Sequence, residues 1–189
     1  MVTGATRGDP GAMRDLLVSV APIVARTARR VMGRHHPEVE DVAQQALSAF
    51  VERLSTFRNE SSITHFAERI TVYRALTARR DAAVRGRFIV ADDDLLDAVA
   101  DHTAARSAEG EAADSACRRL LLRALDAIAP PQAEALALHF LFDYTVSEIA
   151  EAAGVPEETV RSRLRLGKQA LRALIEREPS LAALREHLS

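Results

Sequence analysis

Apolar positions recur at three- and four-residue intervals along most of this chain, the spacing that lines one face of an α-helix. Over residues 11–34 the stripe is Leu16, Leu17, Val20, Ile23, Val24, Ala28 and Val31. Asp9 stands where an N-cap belongs, Gly33 marks the end, and Pro22 inside the pattern predicts a kink or a break between two helices. A second helix is expected from about Pro37 to Leu54, burying Val39, Val42, Ala43, Ala46, Leu47, Phe50, Val51 and Leu54. After the short polar turn Thr56–Ser62, a third runs from Ile63 to Val84 with Phe66, Ala67, Ile70, Tyr73, Leu76 and Ala83 as its apolar positions. Helical spacing resumes near Cys117, where Leu120, Leu121, Leu125 and Ile128 form a stripe closed by Ala129-Pro130-Pro131. Further helices are expected over Gln132–Phe142, Val146–Ala153 and Glu157–Glu178, with Pro179 ending the last. No run alternates with the period of a strand, so the fold class is all-α: two small helical domains joined by a linker.

Charge divides the chain where periodicity fades. Residues 92–114 carry Asp92, Asp93, Asp94, Asp97, Asp101, Glu109, Glu111 and Asp114 against Arg106 alone, with small residues between them, which reads as an acidic interdomain linker. Leu95–Ala100 could form a short helix within it. Before it lies a basic cluster of Arg74, Arg79, Arg80, Arg85 and Arg87 opposed by Asp81. The net charge of −2 therefore hides a strongly uneven distribution, and distribution is what decides nucleic-acid binding. With 48% hydrophobic and 28% charged residues the composition is that of a globular chain; only 4% are aromatic, so the cores must be built of Leu, Val, Ile and Ala. A single cysteine excludes an internal disulfide framework, no apolar run approaches a membrane span, and the N-terminus lacks a signal-like apolar region, so a cytoplasmic protein is expected.

The most specific local pattern is Thr145–Leu164, TVSEIAEAAGVPEETVRSRL. Ser147 stands before a short helix begun by Glu148, Ile149 and Ala150, with Ile149 and Ala153 inward and Ala150 small enough for a second helix to cross closely. Gly154 sits where a tight turn needs positive φ, and Pro156 suits the entry to a new helix. Val155, Val160, Leu164 and Leu171 give that helix an inner face. This is a helix-turn-helix, whose second helix lies in a DNA major groove. A step of about 100° per residue turns Glu158, Arg161, Ser162, Arg165, Gln169 and Arg172 outward, with Arg163 and Lys168 on the flanks. From Arg161 to Arg172 there are basic residues at 161, 163, 165, 168 and 172 and no acid, whereas an ordinary solvated face mixes signs to form i,i+4 pairs. Arg can fork to a guanine edge or to phosphate, and Ser and Lys suit backbone contacts.

Several tempting sites have plainer readings. His35 and His36 point apart and sit at a helix boundary, so they read as surface polar residues and not as a metal site. Arg118 and Arg119 could lower the Cys117 thiol, though a helix-face position explains the residue as well. Asp92–Asp94 lack the glycine turn and spaced Glu of an EF-hand loop. Nothing pairs a nucleophile with its base or cradles phosphate on a Gly loop, so no catalysis, metal or cofactor is expected. Gly167, inside the last helix, should cost about 1 kcal/mol relative to Ala.

The order of helical domain, acidic linker, Pro-punctuated helix and helix-turn-helix resembles the extracytoplasmic-function sigma factors of the sigma-70 family. Carrying the resemblance are G8-D-P-G-A-M-R-D-L, V39-E-D-V-A-Q-Q-A-L-S-A-F, F57-R-N-E-S-S-I-T-H-F-A-E-R-I, and L125-D-A-I-A-P-P-Q-A-E-A-L-A-L-H-F with the helix-turn-helix to about Leu174. It implies a region 2-like domain over 8–87, the linker over 88–114 and a region 4-like domain over 115–178. It implies that Asp41, Gln44 and Gln45 bind the β′ clamp helices of core RNA polymerase, with the β flap as a second contact. The −10 element of promoter DNA would meet Phe57, Arg58, Asn59, Ser61, Arg74, Arg79 and Arg80. The −35 element would meet Glu158, Thr159, Arg161, Ser162, Arg163, Arg165, Lys168, Gln169 and Arg172. The chemistry agrees in part: Asn59 and Ser61 beside Phe57 and Arg58 suit an unstacked base, and the arginines after them suit phosphates. An anti-sigma factor is a further partner the resemblance implies; membrane contact is not. The chain departs from the family where Phe66 replaces a common Trp, where Val72, Tyr73 and Thr77 replace an Arg-Asn pair and an Asp, and where Leu166 replaces a common basic residue. Two other functions fit a helix-turn-helix: a free-standing, dimeric regulator, and a sigma-like helical adaptor without promoter activity.

Overall fold

The computed structural model describes residues 2–34, 36–57, 62–85 and 108–187. Among these there are α-helices and 3-10 turns and no strands. The helices are α1 (Val2–Thr6), α2 (Pro10–Met32), α3 (Val39–Arg53), α4 (Ile63–Val84), α5 (Ala108–Asp126), α6 (Pro130–Leu141), α7 (Val146–Ala153) and α8 (Glu157–Arg177).

The N-terminal helices build one core from Leu16, Val20 and Val24 of α2, Ala46, Ala49 and Phe50 of α3, and Phe66, Ala67 and Ile70 of α4. Asp9 caps α2 as expected, its carboxylate accepting from the amides of Gly11 and Ala12. Pro22 does not break α2, which runs unbroken for 23 residues. The proline is exposed, so the carbonyl it deprives of a partner, at Val18 one turn earlier, lies on the wet side of the helix. The short helix α1, too brief to show periodicity, packs on α2 through Gly4, where a Cβ would stand 2.9 Å from that of Ala12. At the start of α3 the amide of Glu38 donates to His36 Nδ1 at 3.2 Å, which gives His36 a structural place at that boundary.

Two single-stripe expectations fail, for different reasons. Val51 of α3 is 38% exposed, because it lies off the stripe of Val42, Ala46, Ala49 and Phe50 that the helix buries. In α4, Tyr73 is 40% exposed and Ala83 is exposed, while Glu68, Thr71, Val72, Ala75 and Ala82 are buried. Helix α4 is covered from two sides, by α2 and α3 and also by α6 and α7. A helix with two buried faces has no single apolar stripe to read.

The second cover comes from the C-terminal helices, which share a core with the N-terminal half: Val31, Met32, Val72 and Leu76 belong to the same apolar cluster as Leu125, Leu136, Leu138, Leu164 and Leu171. Charged and polar contacts accompany it. Arg79 donates from Nε and Nη2 to the Asp126 carboxylate at 3.0 and 2.8 Å and from Nη1 to the Val31 carbonyl. Arg69 meets Glu134 at 3.0 Å, the Tyr144 hydroxyl donates to Glu68, and the guanidinium of Arg30 lies 4.8 Å from the centre of the Phe142 ring. Burial pushes the carboxyls of Asp126 and Glu134 above their ordinary values, and the facing arginines oppose the shift.

Helix α5 starts at Ala108, inside the stretch expected to be linker; its frequent alanines favour helix. Residues 86–107, with the proposed short helix at Leu95–Ala100, lie outside the described residues. Pro130 and Pro131 open α6 in its first turn, where a missing N–H costs nothing, so the helix begins two residues before Gln132. After α8 the chain turns through a 3-10 segment, Pro179–His187, that buries Leu181 and Leu184 and packs on α5 and α8.

Gly167 has a packing explanation. A Cβ there would stand 2.9 Å from Leu136 Cδ1 and 3.0 Å from Cγ, and Leu136 is fully buried. The glycine lets α8 approach α6 at the cost of helix propensity. Gly167→Ala should therefore destabilise the protein by about 1 kcal/mol in thermal or urea unfolding, because overpacking exceeds the propensity gain. The double variant Gly167→Ala with Leu136→Ala should differ from the sum of the two single changes.

Candidate nucleic-acid interface

The helix-turn-helix is assembled by local chemistry at three points. Thr145, not Ser147, caps α7; Ser147 lies one residue inside the helix. The Thr145 hydroxyl accepts from the Glu148 amide at 3.2 Å, and Glu148 Oε2 accepts from the Thr145 amide at 2.8 Å, a reciprocal capping box that the spacing T-x-x-E encodes. The Thr145 amide and then its hydroxyl hold the Glu148 carboxyl below its ordinary value. Gly154 ends α7 in the left-handed conformation, φ 62°, its amide reaching the carbonyls of Ala150 and Glu151. Pro156 is the residue from which α8 departs. Upstream, Asp143 also takes a left-handed φ of 57° as the chain leaves α6, a conformation Asp tolerates better than most residues.

Helix α8 buries Val160, Leu164, Gly167, Leu171 and Ile175. Glu158, Arg161, Arg165, Gln169 and Arg172 are exposed on its opposite side, as the helical step predicts, while Thr159, Ser162, Arg163 and Lys168 are half-buried. Lys168 places Nζ 5.3 Å from the centre of the Phe140 ring. Arg161 is engaged by Glu157 one turn back and by Glu158 at 3.7 Å. The first turn of α8 thus carries two acids that lie outside the charge balance counted from Arg161 to Arg172.

Among the described residues, those predicted for the −10 element stand in different surroundings. Arg58, Asn59 and Ser61 lie outside the described residues. Phe57 packs on Phe66 with ring centres 5.2 Å apart, joining the N-terminal core. Arg74 stands apart from that loop: with Asp41, Gln44, Gln45, Ser48 and Glu52 it lines a groove of about 450 Å³ between α3 and α4. Arg79 is bound to Asp126, and Arg85 meets Glu38 at 3.1 Å. Arg80 is half-buried, with Nε and Nη2 shielded from solvent and without hydrogen-bond partners, and burial lowers its pKa. Arg79 and Arg85 of the basic run thus meet protein acids, an outcome invisible in the sequence because those acids lie distant in the chain.

Two stretches match known families: residues 16–85 match sigma-70 region 2, and residues 118–171 match sigma-70 region 4. The chain belongs to the sigma-70 family. The succession of region 2 and region 4 fits the extracytoplasmic-function group of that family, whose members are DNA-binding, polymerase-associated initiation factors. A solved structure that the chain is similar to is the sigma factor RpoE of Bartonella quintana, crystallised with the anti-sigma factor NepR. The similarity has a TM-score of 0.45 at 19% identity and covers 87% of this chain and 97% of that one. No curated protein matches the sequence. Among the described residues no helix is long and apolar enough to cross a membrane, and no three His, Cys, Asp or Glu side chains are grouped to hold a metal ion. Cys117 is half-buried.

Thr145→Ala should lower stability by about 1 kcal/mol at pH 7, the usual cost of an N-cap. The Glu148 carboxyl is depressed in the folded protein, so its share of the capping box is present above the ordinary carboxyl range and is lost as pH falls through the folded value. The penalty of Thr145→Ala should shrink accordingly between pH 7 and pH 3, read as the difference in urea midpoint between the two proteins.

Proposed function

We propose that this protein is an alternative sigma factor of the extracytoplasmic-function type that binds core RNA polymerase in the cytoplasm and directs it to a particular set of promoters. It acts by binding; the polymerase performs the chemistry. The observation that carries the proposal is the exposed face of α8, where Arg161, Arg165, Gln169 and Arg172 project from a helix-turn-helix built on its own capping box and glycine turn.

In this reading α8 enters the major groove at the −35 element. Arg165 and Arg161 reach base edges or phosphates, and Ser162, Arg163, Lys168, Thr159, Glu158, Gln169 and Arg172 complete the surface. The groove lined by Asp41, Gln44 and Gln45 takes the β′ clamp helices, and the position of Arg74 in the same groove supports a place for it in that contact beside its −10 role. The β flap would engage the C-terminal half. The 57–62 loop and α4 serve the −10 element, whose opened strand offers unstacked bases and phosphates. An anti-sigma factor would hold the protein inactive by covering these surfaces.

The test is run-off transcription with purified bacterial core polymerase on the promoter upstream of the protein's own gene. A transcript that depends on the protein is expected, and Arg165→Ala should reduce holoenzyme affinity for that promoter about ten-fold or more, the scale of one lost base contact. Arg161→Ala should cost less, because removing the arginine also relieves its pairing with Glu157 and Glu158. DNA binding without polymerase and without a transcript would instead make the protein a free-standing regulator.

A further inference from the structure

We infer that Leu166 is a specificity-determining residue that reads the methyl group of a thymine in the −35 element. The inference rests on the −35 role proposed for α8. Of the large apolar side chains that stand exposed among the described residues, Leu166 is the one in the C-terminal half, at 40% exposure. The inner face of α8 is already filled by Val160, Leu164 and Leu171, so the core makes no demand for an apolar residue at 166. Four residues apart on a helix are neighbours, which places Leu166 directly beyond Ser162, and Arg165 and Gln169 flank it on the exposed face. An isopropyl group among arginines cannot donate to guanine or pair with phosphate. In a major groove the one base-edge feature it complements is the C5-methyl of thymine. The arginines supply attraction and register; Leu166 supplies selection at one base pair.

The preferred −35 sequence is first selected from randomised DNA with the holoenzyme, and each thymine in it is then replaced by deoxyuridine, which differs only by that methyl. At one position the replacement should weaken wild-type holoenzyme binding about four-fold, the worth of one buried methyl-sized group, and should have no effect on the Leu166→Ala holoenzyme. Leu166 is surface-exposed and Ala is the better helix former, so the variant should keep its fold. Insensitivity to every deoxyuridine in a holoenzyme whose binding still depends on Arg165 would overturn the role of Leu166 alone. Binding that does not depend on Arg165 either would overturn the −35 reading beneath it.

Discussion

A helix covered on two sides must satisfy two sets of neighbours with one sequence, and α4 does so with unusual side chains. Toward α2 and α3 it presents Phe66, Ala67 and Ile70. Toward the C-terminal helices it presents Val72, Ala75 and Leu76 together with Glu68, Arg69 and Arg79. Burying those charges is tolerable only because each meets a partner from the other half, since an unpaired buried charge costs far more than a paired one. The pairing fixes which faces meet and in what register. The apolar residues between the pairs supply the attraction, and the charges supply the uniqueness.

The C-terminal half depends on a second constraint, the close approach of α8 to α6. Gly167 removes the side chain that would hold the helices apart, and Leu136 fills the space. The 3-10 segment after α8 then closes the remaining apolar edge with Leu181 and Leu184. This buries one side of α8 and keeps the arginine face on the other.

Local features were legible in the sequence and long-range ones were not. The boundaries of α4, the cap at Asp9, the glycine turn at Gly154 and the exposed face of α8 follow from spacing and from single-residue conformational preference. The capping box was present in T-x-x-E, and a search for that spacing would have moved the cap of α7 from Ser147 to Thr145. Pro22 misled because a proline on a solvent face loses its hydrogen bond where water replaces it. The burial of Glu68, Thr71 and Val72, and the engagement of Arg79 by Asp126, depend on residues dozens of positions apart. No periodicity within one helix encodes such contacts. Two arginines of the basic run, Arg79 and Arg85, meet carboxylates from distant parts of the chain.

The pair of acids that opens α8 bears on how such a protein would find its target. Glu157 and Glu158 hold Arg161 and, in the proposed −35 role, stand at the end of the helix that would enter the groove. On a random stretch of duplex, phosphates repel these carboxylates, and few counterions are released in exchange for the approach. On the correct sequence, base edges that donate hydrogen bonds accept the same groups. The acids therefore subtract more from indiscriminate binding than from the matched complex. They shorten the time lost on the many wrong sites of a genome, where the ratio of affinities, and not the affinity, decides which promoter is served.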